Sequence, residues 1–255
     1  MITAFGLTAA DEVLTAVPMF HSGGLLIHTT PALCAGATIT IHRQFDPRLV
    51  LEEVQRQRIT LLACTPAMTF QLADHSAWDE ADLSSLRCVL TGCVLTGSTV
   101  VPRTAIEPWQ RKGVAIVQGY GMTESCVIAT TMPPGSPPES AFTAGKPVLH
   151  TQIRVVDGSG QDAPAGQPGE VWVRGPSMMS GYWENPQATQ EAFCDGWLRS
   201  GDIGLHRPRW LPAHRRPTQG HHHRRGFERL PQRPRDRAPR LPRDPRGSGR
   251  REVRR

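Results

Sequence analysis

Lysine is scarce in this sequence of 255 residues, which contains only Lys112 and Lys146. Neither belongs to a Walker phosphate loop, because Lys146 is followed by proline and the GxxxxGK[ST] spacing is missing. The sequence therefore contains no Walker lysine to contact the phosphates of a nucleotide.

Paired cysteines and long apolar runs are also missing. The six cysteines include no CxxC pair and lie mostly among apolar neighbours, which favours reduced, buried cysteines in a cytoplasmic protein over a disulfide framework. Residues 25–41 are the most apolar stretch, and they fall short of the ~20 apolar residues that a membrane-spanning helix needs. With no signal peptide at the first residues, we expect a cytoplasmic protein without a membrane span.

Charge is divided unevenly along the chain. Residues 1–205 hold 12 Lys and Arg against 19 Asp and Glu, whereas residues 206–255 hold 17 Arg against 4 Asp and Glu. The net charges are therefore −7 and +13, which agree with the formal +6 of the whole chain. The second part is rich in arginine and proline and has no hydrophobic periodicity, so we predict a disordered tail over residues 206–255.

Strand and helix signals alternate through the first half of the chain. Helices are predicted to start at three prolines, because proline is favoured at the first position of a helix: Pro47, Pro66 and Pro102. Buried strands are predicted for short apolar runs: 59–64, 86–90 and 114–117. The alternation indicates an α/β fold over residues 1–140, with a largely parallel sheet that helices cover and that binds ligands at the carboxyl ends of its strands.

Residues 141–205 have a different pattern and are predicted to form a smaller β-rich subdomain. Turn clusters separate three short strand-like runs: 152–156, 169–174 and 197–199. Before this region, the sequence CVLTG occurs twice in tandem over residues 88–97. Five extra residues in a strand would turn its side chains to the opposite face, so we expect a longer loop to absorb the second copy.

Four segments carry the residues that nucleotide chemistry needs. Residues 118–125 (QGYGMTES) combine an aromatic ring that can stack on a base, glycines that let backbone approach a phosphate, a hydroxyl and a carboxylate. The other segments are 18–25 (PMFHSGGL), 169–183 (GEVWVRG to GYW) and 197–202 (WLRSGD). Their order and spacing resemble the adenylate-forming, AMP-binding superfamily of acyl-CoA synthetases, luciferases and peptide-synthetase adenylation domains.

The resemblance implies how a nucleotide would be held. Tyr120 matches the aromatic residue beside adenine, and Asp202 matches the acid that holds the ribose hydroxyls, a role that a carboxylate can fill without a cation. In isolation a tyrosine more often packs in a core, and an aspartate after glycine more often shapes a turn. The full set of implied nucleotide-binding residues is Gly97, Ser98, Thr99, Gly119, Tyr120, Gly121 and Asp202.

The resemblance also implies a catalytic pair and a substrate contact. Thr123 matches the hydroxyl near the α-phosphate, and Glu124 matches the carboxylate that holds Mg²⁺, an ion that prefers carboxylate and phosphate oxygens. His21 matches the residue beside the carboxylate of the acid substrate, although a lone histidine is often structural.

The implied reaction joins a carboxylic acid to ATP, releases pyrophosphate, and then transfers the acyl group to CoA. ATP or AMP, Mg²⁺ and CoA are therefore the expected cofactors and co-substrates. Residues 20–24 (FHSGG) favour an acyl-CoA synthetase of the fatty-acid or a related type, and a peptide-synthetase or luciferase type stays as an alternative.

Two parts of the family pattern are not recognisable. The phosphate loop rich in Ser, Thr and Gly would lie well before residue 18, and a lysine-bearing C-terminal domain would follow residue 202. With freely chosen synonymous codons, residues 206–231 in a shifted frame read TDPDGYLHIVDRPKDIITVAGSNVY, which resembles the start of that domain. We hypothesise that the tail is translated out of frame, and a gene sequence with no such segment in the adjacent frame would refute this.

A function of another class is a non-catalytic nucleotide- or nucleic-acid-binding protein that uses the basic tail, since arginine clusters bind phosphate backbones. Only Trp210 and Phe227 interrupt the tail as aromatic residues, so we expect no specific nucleic-acid partner. Salt-sensitive DNA binding that disappears when residues 206–255 are deleted would favour this alternative.

We predict little or no ligase turnover by this chain, because neither the phosphate loop nor the lysine-bearing domain is recognisable in it. The measurement is ATP–pyrophosphate exchange by the purified chain with a panel of carboxylic acids. Robust exchange with any acid would contradict the prediction.

Overall fold

The computed structural model describes residues 1–92, 103–132, 135–137, 141 and 143–206. Within these residues, the strands form two sheets, and helices pack against both faces of the first sheet. The α-helices are α1 (Ile2–Phe5), α2 (Thr30–Ala35), α3 (Pro47–Gln57), α4 (Pro66–Ala73), α5 (Arg103–Arg111) and α6 (Pro186–Ala192). A π-helix, Gly24–Thr29, precedes α2, and a 3-10 turn spans Thr123–Ser125.

The first sheet confirms the largely parallel α/β architecture. Its strands are β1 (Glu12–Thr15), β2 (Thr38–Ile41), β3 (Leu61–Ala63), β4 (Cys88–Gly92), β5 (Ala115–Tyr120), β6 (Thr130–Thr131) and β7 (Lys146–Pro147). They lie in the order β2-β1-β3-β4-β5-β6-β7. The first five are parallel to one another, and β6 and β7 continue the sheet in antiparallel pairing.

Apolar cores cover both faces of the parallel strands. One core packs α3, α4 and α5 against Leu14, Leu62 and Val89, and the other packs α1 and α2 against Val13 and Leu61. Because successive side chains of a strand point to opposite faces, a strand that is covered on both sides needs a continuous apolar run. This explains why short apolar runs predicted β3, β4 and β5, whereas β1 and β2 were not predicted.

The predicted helix starts are confirmed by capping contacts in two cases. The Asp46 side chain accepts a hydrogen bond from the backbone N–H of Leu49 at 3.0 Å, and the Thr65 hydroxyl accepts one from Met68 at 3.2 Å. Each contact satisfies a backbone N–H that the first helical turn would leave without a partner. The position Pro102 lies outside the described residues, and α5 begins at Arg103.

The second sheet is antiparallel throughout, in the strand order β10-β11-β9-β8. Its strands are β8 (Gln152–Val156), β9 (Pro168–Arg174), β10 (Phe193–Cys194) and β11 (Trp197–Leu205). Strand β11 continues well beyond the predicted run 197–199, because β9 offers it pairing partners as far as Pro168. The boundary predicted at residue 141 stays a prediction; the first sheet continues to Pro147.

The two faces of β9 have different surroundings. Val171 and Val173 are fully buried and pack with Tyr120 of the first sheet. Trp172 points to the other face, where the Arg154 guanidinium lies 5.8 Å from the centre of its ring. The alternation of β9 therefore turns its valines toward the first sheet and leaves its tryptophan under arginine side chains.

The first CVLTG copy forms strand β4, and the second copy lies outside the described residues. The cysteines within the described part carry free thiols; Cys64 and Cys88 are buried as expected, whereas Cys34 and Cys126 are exposed. No helix in that part is long and apolar enough to cross a membrane.

A hydrogen-bonded network ties together the amino ends of three parallel strands. The buried Asp11 carboxylate precedes β1 and accepts hydrogen bonds from Thr60 before β3 (2.7 Å) and from Arg87 before β4 (2.9 Å). The backbone N–H of Thr8 donates to its second oxygen at 2.9 Å. Burial alone would raise the pKa of Asp11, but these hydrogen bonds, with that from Arg87 the strongest, outweigh it and hold the pKa below the usual range.

We predict that Asp11→Asn destabilises the fold at pH 7 by about 1–3 kcal/mol, because it weakens charge-assisted hydrogen bonds to a buried group. A carboxyl with a lowered folded pKa stabilises above its unfolded pKa of about 3.9, and that stability is lost as the pH falls through the folded pKa. The variant should therefore lose less stability than the unaltered chain between pH 5 and acid conditions.

Urea unfolding at several pH values measures this difference. Asp79→Asn serves as a control, since Asp79 is exposed. Equal acid sensitivity of the Asp11→Asn variant and the unaltered chain would contradict the prediction.

Candidate nucleotide-binding site

The segment QGYGMTES begins inside a strand and not in the turn that follows it. Strand β5 continues to Tyr120, beyond the predicted end at Val117, because Gly119 and Tyr120 pair with Thr131 and Thr130 of β6. The candidate residues thus lie at the carboxyl end of a parallel strand, where α/β sheets bind ligands.

The turn after β5 is held closely in place. A Cβ atom at Gly121 would overlap the carbonyl of Val127, so only glycine fits there. The Ser125 hydroxyl accepts a hydrogen bond from the Met122 N–H at 3.1 Å and donates to the Met122 carbonyl at 3.0 Å. These contacts fix the direction in which Thr123 and Glu124 leave the backbone.

Tyr120 and Asp202 are hydrogen-bonded to each other across the two sheets. The Tyr120 hydroxyl donates to Oδ2 of Asp202 at 2.9 Å, although the two residues lie 82 positions apart. Both side chains are buried, with exposed fractions of 2% and 7%. The structure thus brings together the residues predicted to contact adenine and ribose.

The ring of Tyr120 belongs to an apolar cluster with Val171 and Val173, and the partly buried Met122 and Met178 pack against this cluster. A base can stack on the ring only if a side chain of the cluster moves aside. Met122 and Met178 are suited to such a movement, because methionine is unbranched and adapts its shape.

Three of the sequence motifs meet around Thr123 and Glu124. The Thr123 hydroxyl shares a hydrogen bond with the hydroxyl of Ser22 at 2.9 Å. Glu124 Oε1 accepts a hydrogen bond from the Tyr182 hydroxyl at 2.9 Å, and the Glu124 carbonyl accepts one from the Met179 N–H at 2.8 Å. Hydroxyls and a carboxylate therefore converge on a partly exposed surface.

His21 lies one residue before Ser22, and its ring is held by its own loop. Its Nδ1 accepts a hydrogen bond from the Gly23 N–H at 2.9 Å, which leaves Nε2 as the nitrogen that can face a ligand. A Cβ atom at Gly24 would overlap the Pro18 carbonyl, so the loop around His21 depends on this glycine. The structure places His21 on the Thr123 side of the site.

Glu124 is a carboxylate that could hold a magnesium ion together with the phosphates of a nucleotide. The described residues contain no group of three or more His, Cys, Asp or Glu side chains that would hold a metal by themselves. Mg²⁺ is commonly bound by one or two carboxylates together with substrate phosphates, and the partly exposed Glu124 suits that arrangement. The predicted adenine turn, Gly97, Ser98 and Thr99, lies outside the described residues.

No role was predicted for Ser22, Tyr182 or His28. Ser22 and Tyr182 lie inside recognised motifs, but their contacts with Thr123 and Glu124 span 101 and 58 residues. His28 is fully buried in the π-helix, and neither ring nitrogen has a hydrogen-bond partner within the described residues. Burial lowers the pKa of His28 to about 4, so the ring is neutral at pH 7 and packs as part of the protein core.

Comparison with known proteins identifies the family. The family model "AMP-binding enzyme" matches residues 1–183. Indoleacetate–CoA ligase from Aromatoleum aromaticum is 42% identical over 198 residues, which cover 78% of this chain and 38% of that protein. Feruloyl-CoA synthase from Amycolatopsis sp. is 39% identical over 197 residues, which cover 77% of this chain and 39% of the relative.

Solved structures agree with these sequence relatives. The amide bond synthetase McbA from Marinactinospora thermotolerans has a TM-score of 0.70 and 34% identity, over 80% of this chain and 41% of that one. The o-succinylbenzoate CoA synthetase MenE from Bacillus subtilis, in complex with ATP and magnesium, has a TM-score of 0.68 and 30% identity, over 80% and 41%. The chain spans about two fifths of the length of the relatives it matches, and it belongs to the family of AMP-binding enzymes.

Proposed function

We propose that this chain carries the adenine, ribose and magnesium side of the active site of an ATP-dependent acid–thiol ligase. The observation that carries the proposal is the buried hydrogen bond between Tyr120 and Asp202. It places an aromatic ring and a carboxylate next to each other at the carboxyl end of β5, as a nucleoside requires. The relatives named above as CoA ligases and synthetases support the reaction class.

Asp202 is proposed to accept hydrogen bonds from the ribose hydroxyls. A carboxylate is a strong acceptor, and the Tyr120 hydroxyl holds one of its oxygens in place at 2.9 Å. The Asp202 backbone N–H donates to the Ser200 hydroxyl at 3.0 Å, which fixes the backbone from which the carboxylate extends. A nucleotide would thus meet an acid that is already oriented, which reduces the entropy lost on binding.

Thr123, Ser22 and Glu124 are proposed to act on the phosphates. The two hydroxyls can donate to phosphate oxygens, and Glu124 can hold Mg²⁺ beside them. When bound, the ion offsets the charge that builds up as pyrophosphate leaves. His21, one residue from Ser22, is proposed to contact the carboxylate of the acid, whose oxygen forms the bond to the α-phosphorus.

The acid is proposed to carry an aromatic ring, and CoA is the proposed acyl acceptor. The relatives at 42% and 39% identity are named for indoleacetate and ferulate, whereas a medium/long-chain fatty-acid ligase from Mycobacterium tuberculosis is 34% identical. Within the fatty-acid or related type expected from the FHSGG segment, this proposal selects a related aryl acid over a fatty acid. A competition of aryl and alkyl acyl-adenylate analogues for the nucleotide site would test it.

We predict that Asp202→Asn weakens AMP and ATP binding by about tenfold or more, since hydrogen bonds to a charged group contribute about 1.5–3 kcal/mol and 1.4 kcal/mol is tenfold. Asparagine can still accept the Tyr120 hydrogen bond, so the fold should be retained. Titration calorimetry with AMP measures affinity, and thermal unfolding checks stability.

Asp195→Asn is the matched control, because it removes the same charge from an exposed turn of the same sheet. It should bind AMP like the unaltered chain. Equal affinity of the Asp202→Asn and Asp195→Asn variants, or no AMP binding by the unaltered chain, would refute the proposal.

A further inference from the structure

Glu124 is held at two points by one short segment of the chain. The Met179 N–H donates to its carbonyl at 2.8 Å, and the Tyr182 hydroxyl donates to Oε1 of its carboxylate at 2.9 Å. The backbone and the carboxylate of Glu124 are thus both fixed by residues more than fifty positions away. Within the described part of the chain, Oε2 receives no hydrogen bond and is the oxygen left for a ligand.

Tyr182 is itself anchored by helix α6. Its backbone N–H donates to the Thr189 hydroxyl at 2.9 Å, and that hydroxyl donates to the Asn185 carbonyl at 2.9 Å. Asn185 in turn caps α6, because its side chain accepts from the Ala188 N–H at 3.0 Å. The Thr189 hydroxyl is therefore used as both donor and acceptor, which fixes its direction.

Gly181, the residue before Tyr182, lies close to the side chain of Thr189. A Cβ atom at Gly181 would lie 2.7 Å from Cγ2 of Thr189, so the chain can pass this close to α6 only with glycine. A continuous path of contacts runs from α6 through Thr189 and Tyr182 to the carboxylate of Glu124.

We infer that Tyr182 and Thr189 are positioning residues that set the strength with which Glu124 holds a magnesium–nucleotide complex. The inference rests on the proposed function of Glu124 as the magnesium carboxylate. A partly exposed glutamate samples several rotamers, and a hydrogen bond to one oxygen restricts it before the ion arrives. Groups that orient a metal-binding carboxylate in this way typically change metal affinity by about 10–100-fold when they are removed.

The test uses the full chain and varies Mg²⁺ at a fixed concentration of ATP. Tyr182→Phe removes only the hydroxyl, and Thr189→Val removes the hydroxyl at nearly constant shape. We expect both variants to need about tenfold more Mg²⁺ for half-maximal ATP binding, with unchanged ATP affinity in EDTA. Thr189→Ser keeps the hydroxyl and should restore the behaviour of the unaltered chain.

Trp183→Phe is the matched control, because Trp183 is the neighbouring aromatic residue and is 90% exposed. It should leave the Mg²⁺ dependence unchanged. If Tyr182→Phe fails to fold, the comparison of Thr189→Val with Thr189→Ser still decides the question.

A spectroscopic readout needs no turnover. The chain has only two tyrosines, Tyr120 and Tyr182, so 3-fluorotyrosine labelling gives two ¹⁹F signals, and Tyr182→Phe assigns them. Mg²⁺ with ATP should shift the Tyr182 signal more than ATP in EDTA does, and Glu124→Gln should abolish that difference.

The possible results distinguish a failure of the positioning role from a failure of the proposed function. If ATP binds and the Tyr182→Phe and Thr189→Val variants have unaltered Mg²⁺ dependence, the positioning role is refuted and the nucleotide site stands. If the unaltered chain binds no ATP in any condition, the proposed function fails, and the positioning role fails with it.

Discussion

The hydrogen bond between Tyr120 and Asp202 is the contact on which the geometry of the site depends. It joins β5 of the parallel sheet to β11 of the antiparallel sheet, and both partners are buried. A hydrogen bond to a charged group contributes about 1.5–3 kcal/mol, so separating the two side chains carries a penalty. The apolar packing of Val171 and Val173 around the ring supports the same junction.

The stabilising Asp11 network and the candidate site lie at opposite ends of the parallel sheet. The Asp11 network binds the amino ends of β1, β3 and β4, whereas the candidate site lies beyond the carboxyl end of β5. The strands between them are packed between apolar cores on both faces. The loops that carry Ser22, Thr123 and Glu124 extend from these packed strands, and the hydrogen bond between Ser22 and Thr123 joins the loops at the candidate site.

Much of the architecture could be predicted because its cause is local. Continuous apolar runs identified β3 and β4, and Asp46 with Pro47 identified the start of α3. The end of β5 could not be predicted, since Gln118 and Gly119 are poor strand residues that are held by pairing with neighbouring strands, Gln118 with β4 and Gly119 with both β4 and β6. The contacts of Ser22 with Thr123 and of Tyr182 with Glu124 also depend on tertiary packing. Motif membership indicated which segments matter, but it did not indicate which side chains touch.

The candidate site lies where Tyr120 and Asp202 join the two sheets. A double-mutant cycle of Tyr120→Phe and Asp202→Ala, with stability measured by urea unfolding, tests whether these side chains depend on each other. We expect a coupling free energy of about 1–3 kcal/mol between the two positions, together with loss of AMP binding in the double variant. Additive effects within about 0.5 kcal/mol would show that the two side chains do not depend on each other and would overturn this view of the site.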